Sequence, residues 1–230
     1  PTRLDWTFVL SKQSLADPPA KMLGDGYDSA RQSYELFVPD RRDAKRPVPA
    51  ILFVSAGDEP AGWKACEKVC KDGGFVFVGV RGAGNSVPAP KRVRIVLDCL
   101  DDVRRQLPLD PDRTYIGGFS GGARIACGIG FALPEYFGGL IPVCAGGDLR
   151  EEPWLRHRLA DRVSAALITG ETDFNRGEVE RWTSLRPLIR RCTGGGLVPH
   201  DADWTYSVVV PPGSAWPWLR HCPRWRWPLV

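Results

Sequence analysis

An α/β fold, with a mostly parallel central sheet and helices on both faces, is what this chain of 230 residues predicts. Three observations lead there. Segments of strand length alternate with segments of helical period along most of the chain, the pattern of crossover connections between parallel strands. Two runs, Val48–Ser55 (VPAILFVS) and Phe75–Val80 (FVFVGV), are apolar at nearly every position, as strands covered on both faces must be. A third strand, Arg113–Gly118, runs through Phe119-Ser120 into a small-residue turn and then a helix.

Taken in order, Gln32–Val38 (QSYELFV) reads as a strand ended by Pro39-Asp40, and Val48–Ser55 as the first buried strand. Gly62–Lys71 fits a short amphipathic helix, and Gly73-Gly74 makes the turn into Phe75–Val80. Arg92–Leu107 places Val93, Val96, Leu97, Leu100, Val103 and Leu107 close to a 3.6-residue period, and Pro108 with Asp110-Pro111-Asp112 stops it as a turn. Gly121–Leu133 follows as a helix rich in small residues, which permits close packing on the sheet. Gly139–Val143 and Ala165–Gly170 are two further strands, Glu178–Arg191 a helix interrupted at Pro187, and Thr205–Val210 the last strand.

Composition narrows the function classes. Hydrophobic residues make up 43% and charged residues 25%, which places the chain among globular proteins, and no apolar run reaches the length of a membrane span. The seven cysteines are odd in number and scattered, a pattern of reduced thiols and not of a disulfide framework. Cys66 and Cys70 lie one helical turn apart with no second pair at metal spacing, and there are three histidines, so no metal and no cofactor is expected. The chain begins at Pro1, so the native start is expected to be missing, and a signal peptide cannot be read.

Charge is uneven. Residues 186–230 hold six Arg against two acidic residues, which is the whole net charge of +4, and five of the nine tryptophans. Basic and aromatic residues together are one footprint of nucleic-acid binding, but the body carries no basic patch and no such motif, so no nucleic acid is expected. The division is therefore a domain over 1–185 and an atypical C-terminal segment over 186–230, in which the last strand is uncertain and poor packing is expected. Its abrupt change in composition is of the kind that a translated frameshift produces.

The most specific signal is Gly118-Phe119-Ser120-Gly121-Gly122 between a strand and a helix. A serine on such a turn has strained torsions, so small residues must flank it. Its hydroxyl is presented at the carboxyl edge of the sheet, and the next amide, that of Gly121, points at what the serine attacks. The helix start adds its positive end under a developing oxyanion. A second amide must come from the loop after the first buried strand, Ser55-Ala56-Gly57-Asp58, which makes Ala56 or Gly57 the candidate. Arg81-Gly82-Ala83-Gly84-Asn85-Ser86 echoes a dinucleotide loop, but no helix opens at its last glycine. It is read as a plain connector or a border of the pocket. Asp173, after Ala165–Gly170, stands where an acid could orient a histidine, with capping of the next helix as its competing role and Asp148 as the runner-up.

Several strings together resemble the α/β-hydrolase superfamily, and within it the bacterial esterases that include polyhydroxybutyrate-depolymerase-like and feruloyl-esterase-like proteins. They are Leu109–Gly122 through the serine turn, Tyr34–Pro39, Pro134–Gly139 and Thr169–Asp173. The resemblance runs from about Tyr34 to Arg181. It implies an α/β-hydrolase fold and hydrolysis of a small-molecule ester through an acyl-serine, although a peptidase of the same fold is not excluded.

Two departures stand out. Ser55-Ala56 replaces the family's frequent His-Gly. Pro212-Gly213-Ser214-Ala215-Trp216 carries a tryptophan where the family's catalytic histidine follows the last strand. His157 falls in a charged stretch between strands, and His200 precedes the last strand and so should emerge at the wrong edge. His221 alone has the right chain order. Either His221 is the general base, or the domain lacks one and is catalytically impaired.

Overall fold

The computed structural model describes residues 27–40, 46–147, 163–170, 172–183 and 206–210; for 180–183 and 206–210 it describes the backbone alone. Seven strands form one sheet: β1 (Tyr34–Phe37), β2 (Val48–Val54), β3 (Val76–Val80), β4 (Leu109–Phe119), β5 (Gly139–Val143), β6 (Ser164–Gly170) and β7 (Tyr206–Val210). Their order is β1-β3-β2-β4-β5-β6-β7. Every neighbouring pair is parallel except β1 with β3. Among the described residues four α-helices connect them: α1 (Trp63–Gly73), α2 (Ala89–Gln106), α3 (Gly121–Ala132) and α4 (Arg176–Thr183).

The apolar runs become the covered middle of the sheet. All seven residues of β2 and all five of β3 are buried. Alternation along the strands then builds two cores. Ala50, Leu52 and Val54 pack with Ile95, Val96, Leu100 and Val103 of α2 and Ile125 and Ile129 of α3. Ile51, Phe53 and Phe77 face the other way, onto Cys70 and Trp63 of α1. Because side chains in a strand alternate between faces, these continuous apolar runs require helices on both.

Two boundaries differ from the sequence reading for local reasons. Helix α2 begins at Ala89, ahead of the expected Arg92, because Pro90 falls in its first turn, where a missing N–H costs nothing. The Asp110-Pro111-Asp112 turn lies inside β4, whose register against β2 shifts between Val48 and Ala50. Asp110 still behaves as a turn residue, accepting from the Asp112 amide at 3.0 Å and from Arg113 Nε at 2.7 Å.

The first strand is tied down from the side. Tyr27 donates to Asp98 at 2.5 Å and Tyr34 to Asp102 at 2.6 Å, both carboxylates lying on α2. Burial, with the Asp102 carboxylate, pushes the Tyr34 phenol up to about 12. The five described cysteines, Cys66, Cys70, Cys99, Cys127 and Cys144, carry free thiols.

Candidate active site

Ser120 stands between the end of β4 and the start of α3, at φ 52° and ψ −119°. It is one of two non-glycine residues with positive φ among the described residues, and such a backbone costs about 1–3 kcal/mol to hold. Neighbours hold it. Its amide donates to Val143 O at 2.8 Å, and its carbonyl accepts from the Arg124 amide at 3.3 Å. The flanking glycines are required by proximity. A Cβ on Gly118 would lie 2.7 Å from Val54 O, and one on Gly122 would lie 2.9 Å from the carbonyl carbon of Ser55. The close approach of α3 to the end of β2 therefore depends on the absence of side chains at both positions.

That approach brings the loop after β2 beside the turn. Ser55 is buried, and its Oγ accepts from the Gly57 amide at 3.0 Å. The Gly57 N–H is thus engaged. Among the described residues, neither the Ala56 amide nor the Gly121 amide has an acceptor. The loop after β3 folds over both segments. Asp58 accepts from the Gly82 amide through its carbonyl at 2.7 Å and from the Gly84 amide through its carboxylate at 3.1 Å. The Asn85 amide donates to Ala56 O at 2.8 Å. The Asn85 side chain lies over Gly121, its Nδ2 being 3.0 Å from where a Cβ on that glycine would stand.

Asp173 follows β6 by three residues, and β5 separates β6 from the serine-bearing β4 in the sheet, with Val143 paired both to Phe119 and to Ile168. Its carboxylate accepts from Thr169 Oγ1 at 2.7 Å and from the Asn175 amide at 3.0 Å. Burial, with the nearby Asp173 carboxylate, pushes the Cys144 thiol up to about 11. Asp173 therefore caps the turn into α4 and faces β5 as well. Cys144 itself takes φ 56° at the end of β5. Arg124 of α3 binds this loop to the serine turn, donating to Glu178 at 3.0 and 2.6 Å and to Asn175 Oδ1 at 2.8 Å. Asn175 in turn donates to Cys144 O at 3.0 Å.

Sequence reasoning singled out Ser120, Gly121, Ala56, Gly57 and Asp173; the structure places Asn85 beside Gly121 and Cys144 beside Asp173, and the sequence reading gave neither a role. Both lie on strand-end loops, and the sequence offers only that placement as a signal. His221, His157 and His200, together with Asp148 and Trp216, lie outside the described residues. Val210, the last residue of β7, pairs with Gly170 at the edge that carries Ser120. No cluster of His, Cys, Asp and Glu with the makings of a metal site occurs among the described residues, and no described helix is long and apolar enough to cross a membrane.

No protein-family model matches the chain, and no curated protein does. Solved structures do. A thermostable esterase superposes with a TM-score of 0.54 at 18% identity, over 79% of this chain and 51% of its own, so this chain spans about half the length of that protein. The S-formylglutathione hydrolase FrmB of Staphylococcus aureus gives 0.53 at 13% identity, covering 74% of this chain and 84% of its own. A dienelactone hydrolase-like promiscuous phosphotriesterase from metagenomic libraries gives 0.53 at 14% identity, covering 83% and 82%. At such identities the likeness is one of fold. The chain has the α/β-hydrolase fold, a mostly parallel sheet with helices on both faces.

Proposed function

We propose that the chain is a serine hydrolase that cleaves small or medium carboxylic esters through an acyl-serine. The observation that carries this reading is the strained Ser120 turn at the carboxyl edge of the sheet, beside two amides without an acceptor among the described residues. Backbone strain at a serine flanked by glycines has no use in packing alone. Two N–H groups beside it supply what a tetrahedral intermediate needs. Esterases of the same fold are consistent with this chemistry.

In the proposed reaction Ser120 Oγ attacks the ester carbonyl carbon, and the carbonyl π pair moves onto oxygen. The amides of Gly121 and Ala56 hold that oxyanion; Gly57, whose N–H is taken by Ser55 Oγ, is the weaker of the two candidates in its loop. A histidine accepts the serine proton and returns it to the leaving alkoxide, and His221 is assigned that role by chain order. Asp173 orients the histidine from the loop after β6. Collapse of the intermediate breaks the ester C–O bond and leaves an acyl-serine, which water, deprotonated by the same base, hydrolyses.

Turnover of p-nitrophenyl acetate by the intact chain and by two variants tests this. Ser120→Ala is expected to lower kcat by several orders of magnitude, on the order of 10⁴ or more, and His221→Ala by a comparable factor. Unchanged turnover in Ser120→Ala removes Ser120 from the mechanism. An intact chain with no turnover, and no labelling by a fluorophosphonate, points instead to a domain without its base.

A further inference from the structure

We propose that Arg92 is the positioning residue of the oxyanion site: its buried guanidinium holds the Ser55–Ala56 peptide so that the Ala56 amide is presented to the carbonyl that Ser120 attacks. This rests on the hydrolase reading above and deepens it.

Arg92 lies in the first turns of α2 and is 6% exposed. Among the described residues its hydrogen bonds go to three neutral acceptors and to no carboxylate: Ala83 O at 2.7 Å from Nε, Asn85 Oδ1 at 3.1 Å from Nη1, and Ser55 O at 3.4 Å from Nη2. Burying a cation without a hydrogen-bonded counter-charge is costly. Burial lowers its pKa, the charge of Arg124 adds to that, and only Asp58 opposes it. The Asp58 carboxylate is directed at the Gly84 amide instead. An apolar side chain would fill the same space at less cost, so the planar fork needs another reason.

The three acceptors supply it. They lie on the two loops that meet the serine turn, and a guanidinium can hold all three at fixed angles. Within a trans peptide the C=O and N–H point in opposite directions, and there are no cis bonds among the described residues. A donor on Ser55 O therefore turns the Ala56 N–H away from Arg92. The peptide so fixed abuts the first turn of α3, its carbonyl carbon lying 2.9 Å from where a Gly122 Cβ would stand. A hydrogen bond to the carbonyl also polarises the peptide unit and strengthens its N–H as a donor. The next peptide is held as well, because Ala56 O accepts from the Asn85 amide, and the Asn85 side chain is itself held by Arg92. Ala56 is thus clamped on both sides by one buried cation, whose charge adds to the positive end of α3.

The test compares the intact chain with Arg92→Lys and Arg92→Met. The readouts are kcat and KM for p-nitrophenyl acetate, the rate of Ser120 labelling by a fluorophosphonate, and the melting temperature. Arg92→Lys keeps the charge and loses the fork; it is expected to lower kcat and the labelling rate about 10-fold, with Arg92→Met lowering both about 100-fold, the range for misplaced reacting groups. KM should stay within about 2-fold, since the interaction is made in the transition state. A role in folding alone would lower the melting temperature and leave kcat per folded molecule unchanged. Should Arg92→Met not fold, Arg92→Lys decides. A folded variant with the parent's kcat and labelling rate, or a loss confined to KM, overturns the role of Arg92 and leaves the hydrolase reading standing. No labelling of the intact chain overturns both.

Discussion

Two glycines of one helix should respond to alanine in opposite directions. In α3, Gly122 faces backbone. A Cβ there would lie 2.7 Å from the carbonyl carbon of Val54 and 2.9 Å from that of Ser55, where ordinary contact begins at 3.4 Å, with Val54 O closer still. The Val54 carbonyl carbon alone would have to retreat by about 0.7 Å and its oxygen by more, and no side chain can rotate to make room. Overpacking of this kind costs about 3 kcal/mol, the upper part of its usual range. Alanine's better helix propensity returns about 1 kcal/mol, leaving a loss of about 2 kcal/mol. For a chain of this size that lowers the melting temperature by about 4–8 °C. Gly128, six residues on, meets nothing within 4 Å. There alanine gains the propensity without the clash, and the melting temperature should rise by about 2–4 °C. Thermal unfolding followed by circular dichroism reads both, and under the proposed function Gly122→Ala should also lose turnover of p-nitrophenyl acetate on the order of 100-fold through displacement of the Ser55–Ala56 peptide. A Gly122→Ala variant that melts at or above the parent temperature would refute the argument, as would a Gly128→Ala variant that melts below it.

Other expectations follow from the ionisable groups. Burial holds the thiols of Cys66, Cys99 and Cys127 at about 12 and that of Cys70 at about 11, whereas in the unfolded chain they ionise near 9. Their contribution to stability is therefore complete below pH 9 and lost as pH climbs to about 12. Under reducing conditions the melting temperature should be level to about pH 8.5 and then fall, less steeply in Cys99→Ala; a level profile through pH 11 would contradict this. The forked Arg124–Glu178 pair should show a coupling of about 1 kcal/mol in a double-mutant cycle read by urea denaturation, the top of the range for partly exposed pairs. A coupling below about 0.3 kcal/mol would mean that the fork does not hold the Asp173 loop to α3.

Much of the fold was legible because burial on two faces leaves a plain trace. Gly139–Val143 is the same strand in sequence and structure, and Val48–Val54 ends one residue before the reading placed it. The direction of β1 was not legible, since a strand of four residues with no alternation in burial fits either sense of pairing. At the site, Ser120 announced itself through the glycines that its geometry demands. Gly57 and Ala56 could not be separated until Ser55 Oγ was seen to occupy one amide. For Asp173 the chain order favoured the acid over the cap; its carboxylate meets the Asn175 amide at the turn into α4 and also Thr169, contacts that no sequence pattern foretells. Arg92 read as one more position on an amphipathic helix, since its three acceptors belong to loops that only folding brings together.

The brevity of β1 bears on how the molecule behaves in concentrated solution. Among the described residues it is an outermost strand of the sheet, and a sheet's margin is where a second chain could add itself by backbone pairing. Four residues, with alternate ones turned inward to β3, leave about two positions able to pair outward. One residue of the strand is Glu35, ion-paired with Arg81 at 3.6 Å, so a strand approaching from outside meets fixed charge. Among the described residues, resistance to aggregation on that flank thus rests on a strand too short to template another, with a charge at its centre.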